Sequence, residues 1–192
     1  MRLAPAWLLS FFLSMSPAYG SEELLDSIVA RLAVSDRVTG SFEQARDVSF
    51  LSRPLTATGT FTIDANGELS WLVEAPVRSL MEVKGGTVSL DGRVVDDPGT
   101  GEFMAMILTA FMQRDLAPVA DQFEVTGESG DPFWQLGLIP RNFLWRRVIT
   151  DVELDGDAYL RTVTINEPDG SATRITFSDV AAEPPAARDD DS

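Results

Sequence analysis

The stretch Thr58-Gly59-Thr60-Phe61-Thr62-Ile63-Asp64-Ala65-Asn66-Gly67-Glu68-Leu69-Ser70-Trp71-Leu72-Val73 decides the fold class. Phe61 and Ile63 alternate with threonines, so they fall on one side of an extended strand, where side chains repeat every two residues. Asn66-Gly67 then supplies two residues that tolerate positive φ, the signal of a tight hairpin turn. Beyond it Leu69, Trp71 and Val73 again share a face. The stretch predicts a β-hairpin with one apolar side.

Outward from this hairpin the same period recurs. It begins at Val38 and predicts further strands at about 78–84, 87–91, 121–127, 133–139, 145–154, 159–166 and 172–178. Turns fall at Gly85-Gly86, Asp91-Gly92, Gly156-Asp157 and Asp169-Gly170. Links this short join antiparallel neighbours, so the strands form a meander.

Two segments break the period. Leu24, Leu25, Ile28, Val29 and Leu32 repeat at helical spacing, with Glu22, Glu23 and Asp26 near the start, where negative charge suits the helix dipole. They predict one amphipathic helix over 22–34. From about 102 to 116 the chain carries Phe103, Met104, Met106, Ile107, Leu108, Phe111, Met112 and Leu116, a helix apolar around more than half its circumference. Its methionines offer a deformable surface of the kind that adapts to flexible apolar ligands, although methionine also fills gaps in ordinary cores.

The ends read differently. Met1-Arg2, the apolar run Leu3–Met15 and the small residues of Ala18-Tyr19-Gly20 make 1–20 a secretory signal peptide with cleavage after Gly20. Residues 21–180 are then one periplasmic domain, and 181–192, with two prolines and an Asp run, are an acidic tail with too little apolar surface to order itself. No later apolar run approaches the ~18–20 residues that a membrane-spanning helix needs.

Composition excludes whole classes of chemistry. There is no Cys and no His, which removes disulfides, thiolate and imidazole metal sites, and histidine-based triads. Asp96-Asp97 and Asp155-Gly156-Asp157 lack the alternating oxygen ligands of a calcium loop, and no phosphate-cradling glycine motif occurs. No metal, cofactor or catalytic residue is assigned. The chain has 30 Asp and Glu against 15 Lys and Arg, a formal net charge of −15, or −16 once Arg2 leaves with the leader. Such a charge repels nucleic acid and anionic headgroups alike.

The order of short motifs carries a resemblance. The leader, the amphipathic helix, Gly40-Ser-Phe-Glu-Gln44, Gly59-Thr-Phe-Thr-Ile63, Leu69-Ser-Trp71 with Glu74-Ala-Pro76, Trp134-Gln-Leu-Gly-Leu-Ile-Pro140 and a final hairpin around Asp169-Gly170 together resemble the LolA family of periplasmic outer-membrane lipoprotein carriers. The resemblance implies an incomplete antiparallel β-barrel, mainly β with α, covered by lid helices that hold acyl chains beneath them. Phe42, Phe61, Leu69, Trp71, Leu136 and Leu138 fall where the family's cavity-facing strand residues lie. Phe103, Met106, Ile107 and Phe111 belong to the segment that matches the lid. One departure stands out. Where the family has an Arg-Pro pair that bonds to the closed lid, this chain reads Asp64-Ala-Asn-Gly67.

Three functions are open to such a chain. The first is a monomeric, non-enzymatic carrier, a chaperone for lipoprotein or lipid transport, loaded by an inner-membrane transporter and relieved by an outer-membrane acceptor. The second is a lipid- or lipoprotein-sensing scaffold on the same fold. The third is a hydrolase, which needs two carboxylates converging in an interior that reads as apolar. An ordinary filled core is the plain alternative for every ligand-contact assignment. If the cavity exists, glutamate at Phe111 or at Met106 abolishes lipid binding.

Overall fold

The computed structural model describes residues 20–95 and 100–183, excluding the side chains of 100–102. The leader up to residue 19, Asp96-Asp97 and residues 184–192 lie outside the described residues.

Helix α1 (Ser21–Val29) precedes six strands: β1 (Arg37–Asp47), β2 (Leu55–Asp64), β3 (Leu69–Ala75), β4 (Ser79–Lys84), β5 (Thr87–Leu90) and β6 (Arg93–Val94). Helices α2 (Thr100–Gln113) and α3 (Ala117–Gln122) follow. The second meander then runs through β7 (Phe123–Ser129), β8 (Trp134–Pro140), β9 (Asp151–Gly156), β10 (Leu160–Asn166) and β11 (Ala172–Glu183). All eleven strands form one antiparallel sheet, in the order β6-β5-β4-β3-β2-β1-β11-β10-β9-β8-β7. The two meanders join where β1 pairs with β11, with Phe42 opposite Phe177.

This order places the helices. Strands β6 and β7 are the two outer strands of the sheet, yet they are neighbours along the chain, so α2 and α3 must cross from one edge to the other. The crossing runs over the apolar face: α2 contacts β2, α3 contacts β7, and α1 comes over from the start of β1 to contact β7 as well. The result is an incomplete barrel with a helical cover, as the resemblance implies.

Alternation sets the inner face. Phe61 and Ile63 on β2, Leu69 and Trp71 on β3, Trp134, Leu136 and Leu138 on β8, and Ile175 and Phe177 on β11 are buried, with more exposed residues between them. Two glycines let rings lie flat on the neighbouring strand. Gly40 pairs with Phe61, and Phe42 pairs with Gly59. A Cβ at Gly40 would stand 2.7 Å from the Phe61 ring, and one at Gly59 would stand 2.8 Å from the Phe42 ring and collide with the Leu72 carbonyl. These pairs build an aromatic layer in which Phe42 stacks on Trp71 at 3.8 Å between centroids and Phe61 meets Phe177 edge-on at 5.2 Å.

The structure departs from the sequence reading in five places. Strand β6, Arg93–Val94 paired with Ser89 and Leu90, was not expected, two residues being too few to show a period. The first helix ends at Val29 instead of residue 34, the chain passing through a turn that still buries Leu32. The strand expected over 145–154 starts only at Asp151, because Trp145–Arg147 form a 3₁₀ turn that swings the Trp145 indole toward the helices. The second helix ends at Gln113, and α3 occupies 117–122, where a loop and a strand start were expected. Strand β11 continues to Glu183, so Ala181–Glu183 pair with Arg37–Thr39 of β1 and are not part of a free tail.

Candidate functional site

Beneath the cover lies one contiguous apolar core. Nine of the ten candidate contact residues (Phe42, Phe61, Leu69, Trp71, Phe103, Ile107, Phe111, Leu136 and Leu138) are buried in it; Met106 is half-buried at its margin. The buried polar side chains are Ser35, Thr164, Ser171 and Thr173; among the described residues no buried side chain is charged. The described residues also contain no group of three or more carboxylates placed to hold a metal ion.

Helix α2 is held mainly by apolar packing. Phe111 stacks on Trp134 of β8 at 5.1 Å between centroids, and Phe103 meets Phe123 and Trp145 edge-on at 5.8 and 5.9 Å. Trp134 is fixed in turn by its indole N–H, which donates to the Asp157 carbonyl at 2.7 Å. The Asp157 carboxylate belongs to the same turn. Partial burial acts to raise its pKa, but hydrogen bonds from Arg161 and the Tyr159 N–H, with the nearby Arg161 charge, outweigh that and hold it below the usual carboxylate range.

A cavity of about 50 Å³ remains at the seam between the helices and this turn. Leu32 and Ser35 after α1, Leu108, Phe111 and Met112 on α2, and Leu160 beyond the turn are among the residues that line it. Only Phe61 and Phe111 of the ten candidates reach it. Pockets for ligands of drug size occupy roughly 300–1,000 Å³, so a long acyl chain does not fit in this seam cavity while α2 is in place. Trp71 lines a more open cleft of about 240 Å³ with Met81, Ile175 and Met104 of α2, and Met106 borders another of about 340 Å³ between α2 and β5; Phe42, Leu69, Phe103, Ile107 and Leu138 are packed in the core.

Directional ties at the cover are few. Gln113 Nε2 donates to the Ala65 carbonyl at 3.3 Å, and Ser35 Oγ donates to Met112 Sδ at 3.6 Å. The strongest tie is Arg114, just beyond α2, whose Nε and Nη2 donate to the Val29 carbonyl at 3.1 and 2.8 Å. That carbonyl closes α1, where a helix leaves its last acceptors unpaired, so a guanidinium there is doubly favourable. Arg114 holds a positive φ of 55° to reach it. Sequence reasoning missed this residue, because the partner lies 85 positions away and no local pattern marks it.

The hairpin that lacks the family's arginine is closed by its own aspartate. Asp64 Oδ1 accepts from the N–H groups of Asn66 and Glu68 at 2.9 and 3.0 Å. The hairpin still touches the cover, through Ala65 and through Gly67, where a Cβ would stand 2.8 Å from Thr109 Cγ2. Replacing Arg114 by Ala is expected to cost ~1.5–3 kcal/mol, the range for hydrogen bonds to a charged group, and to speed ligand uptake by loosening α2 from α1. Stopped-flow uptake of a fluorescent fatty acid reads the rate; an unchanged rate beside a lowered melting temperature would mean that Arg114 is not part of the gate.

An open eleven-stranded sheet whose apolar inner face is roofed by a helical crossing is a half-barrel with a helical cover, the architecture that the sequence resemblance implies. Among solved structures, the chain is similar to a LolA superfamily protein from Nitrosomonas europaea, with a TM-score of 0.48 and 10% identity over 86% of this chain and 94% of that one. It is also similar to a domain named for outer membrane lipoprotein sorting from Vibrio parahaemolyticus, with a TM-score of 0.37 and 11% identity over 89% and 97%. Likewise it is similar to the MucA/MucB complex structure from Pseudomonas aeruginosa, with a TM-score of 0.40 and 14% identity over 86% of this chain and 57% of the matched one. No protein-family model and no curated protein sequence matches the chain. The half-barrel is defined by the strand order and the helical crossing themselves.

Proposed function

We propose that the protein is a periplasmic carrier that takes the acyl chains of a lipoprotein or other acylated lipid under α2 and delivers them toward the outer membrane. The observation that supports this is the makeup of the cover: α2 buries Phe103, Met104, Ile107, Leu108, Phe111 and Met112, with few polar ties at its ends. An apolar contact has no directional requirement, so an acyl chain can replace the α2 side chains against the sheet without leaving a buried polar group unpaired.

The energetics permit the exchange. Burial yields about 0.8 kcal/mol per methylene, so a chain of about fifteen carbons offers on the order of 10 kcal/mol. Association costs at least ~4 kcal/mol, which leaves several kcal/mol to move the cover. Methionines 104 and 112 let its buried face re-form around chains of different length. The Arg114-Asp115-Leu116 junction between α2 and α3 is the hinge. Release then needs an acceptor that favours the open form, since a partner shifts an equilibrium only by binding one state better. The N-terminal leader supports the location, and no helix among the described residues is long and apolar enough to cross a membrane.

The test is titration of the protein with a fluorescent fatty acid, followed by transfer to acceptor vesicles. Saturable uptake with Trp134 quenching, then transfer, is the expected result. Uptake without transfer would favour a sensor, and no uptake would leave the interior a plain core.

A further inference from the structure

The antiparallel registers assign the strand connections to two rims. Pairings Arg46 with Leu55, Val73 with Ser79, Asn166 with Asp151 and Phe123 with Pro140 bring loops 48–54, 76–78 and 141–150 to one rim. Connections 65–68, 85–86, 130–133 and 157–159 lie on the other.

The rims are chemically opposite. The three loops of the first rim hold five arginines (Arg53, Arg78, Arg141, Arg146 and Arg147) and no Asp or Glu, in a chain with twice as many acids as bases. All five are exposed, and none has a carboxylate within ion-pair distance among the described residues. Between them stand exposed apolar side chains: Phe50 (83% accessible), Leu51, Val77, Phe143 (72%), Leu144 and Val148. Arg141 and Arg146 each spend their Nε on a backbone carbonyl, of Phe123 and Pro140, which leaves their terminal nitrogens and the other three guanidinium groups to face outward. Asp47 and Asp151 flank the loops at strand ends, and the carboxylates in this rim's remaining turns are engaged locally: Asp91 accepts from the Leu80 N–H, Glu167 from Arg46 and Asp169 from the Ser171 N–H. The connections of the second rim carry Glu68, Asp131 and Asp157 and no Lys or Arg, with Asp131 and Asp157 paired to Arg31 and Arg161 on neighbouring elements.

We propose that the arginine-rich rim docks the protein onto an anionic lipid surface, with Phe50, Phe143 and Leu144 entering the headgroup boundary and the arginines pairing with phosphates. Separate protruding loop tips suit a soft interface, where aromatic and aliphatic side chains insert beside cations. The net negative charge does not prevent this. Charges are screened over about 8 Å at physiological salt, so the local sign governs contact. The loop also reaches the cover. Trp145, at its centre, lies against Phe103 of α2 and donates to Gln122 of α3, which donates to Met106 Sδ. Docking therefore bears on the helices, but it does not require that the interior take up cargo.

The test is flotation of the purified protein with phosphatidylglycerol/phosphatidylethanolamine vesicles and with phosphatidylcholine vesicles, at low and at 0.5 M salt. The expected result is at least tenfold preference for the anionic vesicles, weakened by salt. Phe143→Glu/Leu144→Glu and Arg53→Glu/Arg147→Glu should each reduce retention at least tenfold, with unchanged melting and unchanged fatty-acid uptake, because these side chains are exposed and lie outside the core. Equal retention on both vesicle types, or wild-type retention by both variants, overturns the proposal. So does absence of retention on anionic vesicles, which would turn the rim toward a protein partner. Loss of fatty-acid uptake in the wild type would count against the carrier and leave the docking result readable.

Discussion

Phe111→Glu is expected to abolish fatty-acid uptake and detach α2 while leaving the sheet folded. Phe111 is buried, stacks on Trp134 at 5.1 Å and lines the cavity at the seam. Losing a buried phenyl ring alone costs ~3–5 kcal/mol, and a carboxylate left among Leu108, Leu160 and Phe61 meets no cation in the cavity lining. The cover gives way before the sheet, because the strands are tied to each other by backbone ladders and α2 is tied by few hydrogen bonds. In a background with Trp71 and Trp145 replaced by Phe, Trp134 fluorescence should shift to the red; the strand signal in circular dichroism should persist, and uptake should fall more than tenfold. Retained uptake would count against the site beneath α2. The sequence gives Met106 the same weight, but that residue is half-buried, its sulfur accepting from Gln122 at 3.3 Å. Glutamate there can reach solvent, and its effect should be several-fold smaller.

The second large effect comes from holding the cover shut. Gly67 of the β2–β3 turn and Thr109 of α2 approach so closely that a Cβ on Gly67 would lie 2.8 Å from Thr109 Cγ2, close to the spacing a disulfide spans. The chain has no cysteine of its own, so Gly67→Cys/Thr109→Cys introduces a single possible bridge. The positive φ of 78° at Gly67 makes cysteine there cost about 1 kcal/mol. Oxidised protein should lose uptake at least tenfold and recover it on reduction. Equal uptake in both states would mean that α2 need not leave the hairpin for a ligand to enter.

How far the sequence carries is clearest residue by residue. The 58–73 hairpin was legible because strict alternation flanks Asn66-Gly67 and nothing distant competes with it. Helix α2 was legible from its apolar girth, but not its end, since Arg114 stops it by reaching the end of α1. Helix α3 has six residues, too few to show a period. Trp145 sits in an apolar run that reads as strand until Phe103 and Gln122 claim its ring. For the site, alternation and the resemblance together placed nine of ten candidates in the interior. Which of them border space depended on Leu32 and Ser35 meeting Ala158–Leu160, more than 120 residues further along the chain, a contact no local pattern encodes. The arginine-rich rim was hidden by the net charge of −15, which averages over two ends that differ in sign.

Whether the space under α2 holds acyl chains is read by native mass spectrometry with lipid extraction, on protein purified from its own cells. The account predicts a co-purifying acylated molecule in roughly one-to-one amount, released when the protein is denatured. A ligand-free mass, together with failure to bind fluorescent fatty acids, would contradict it and leave the half-barrel with a filled core.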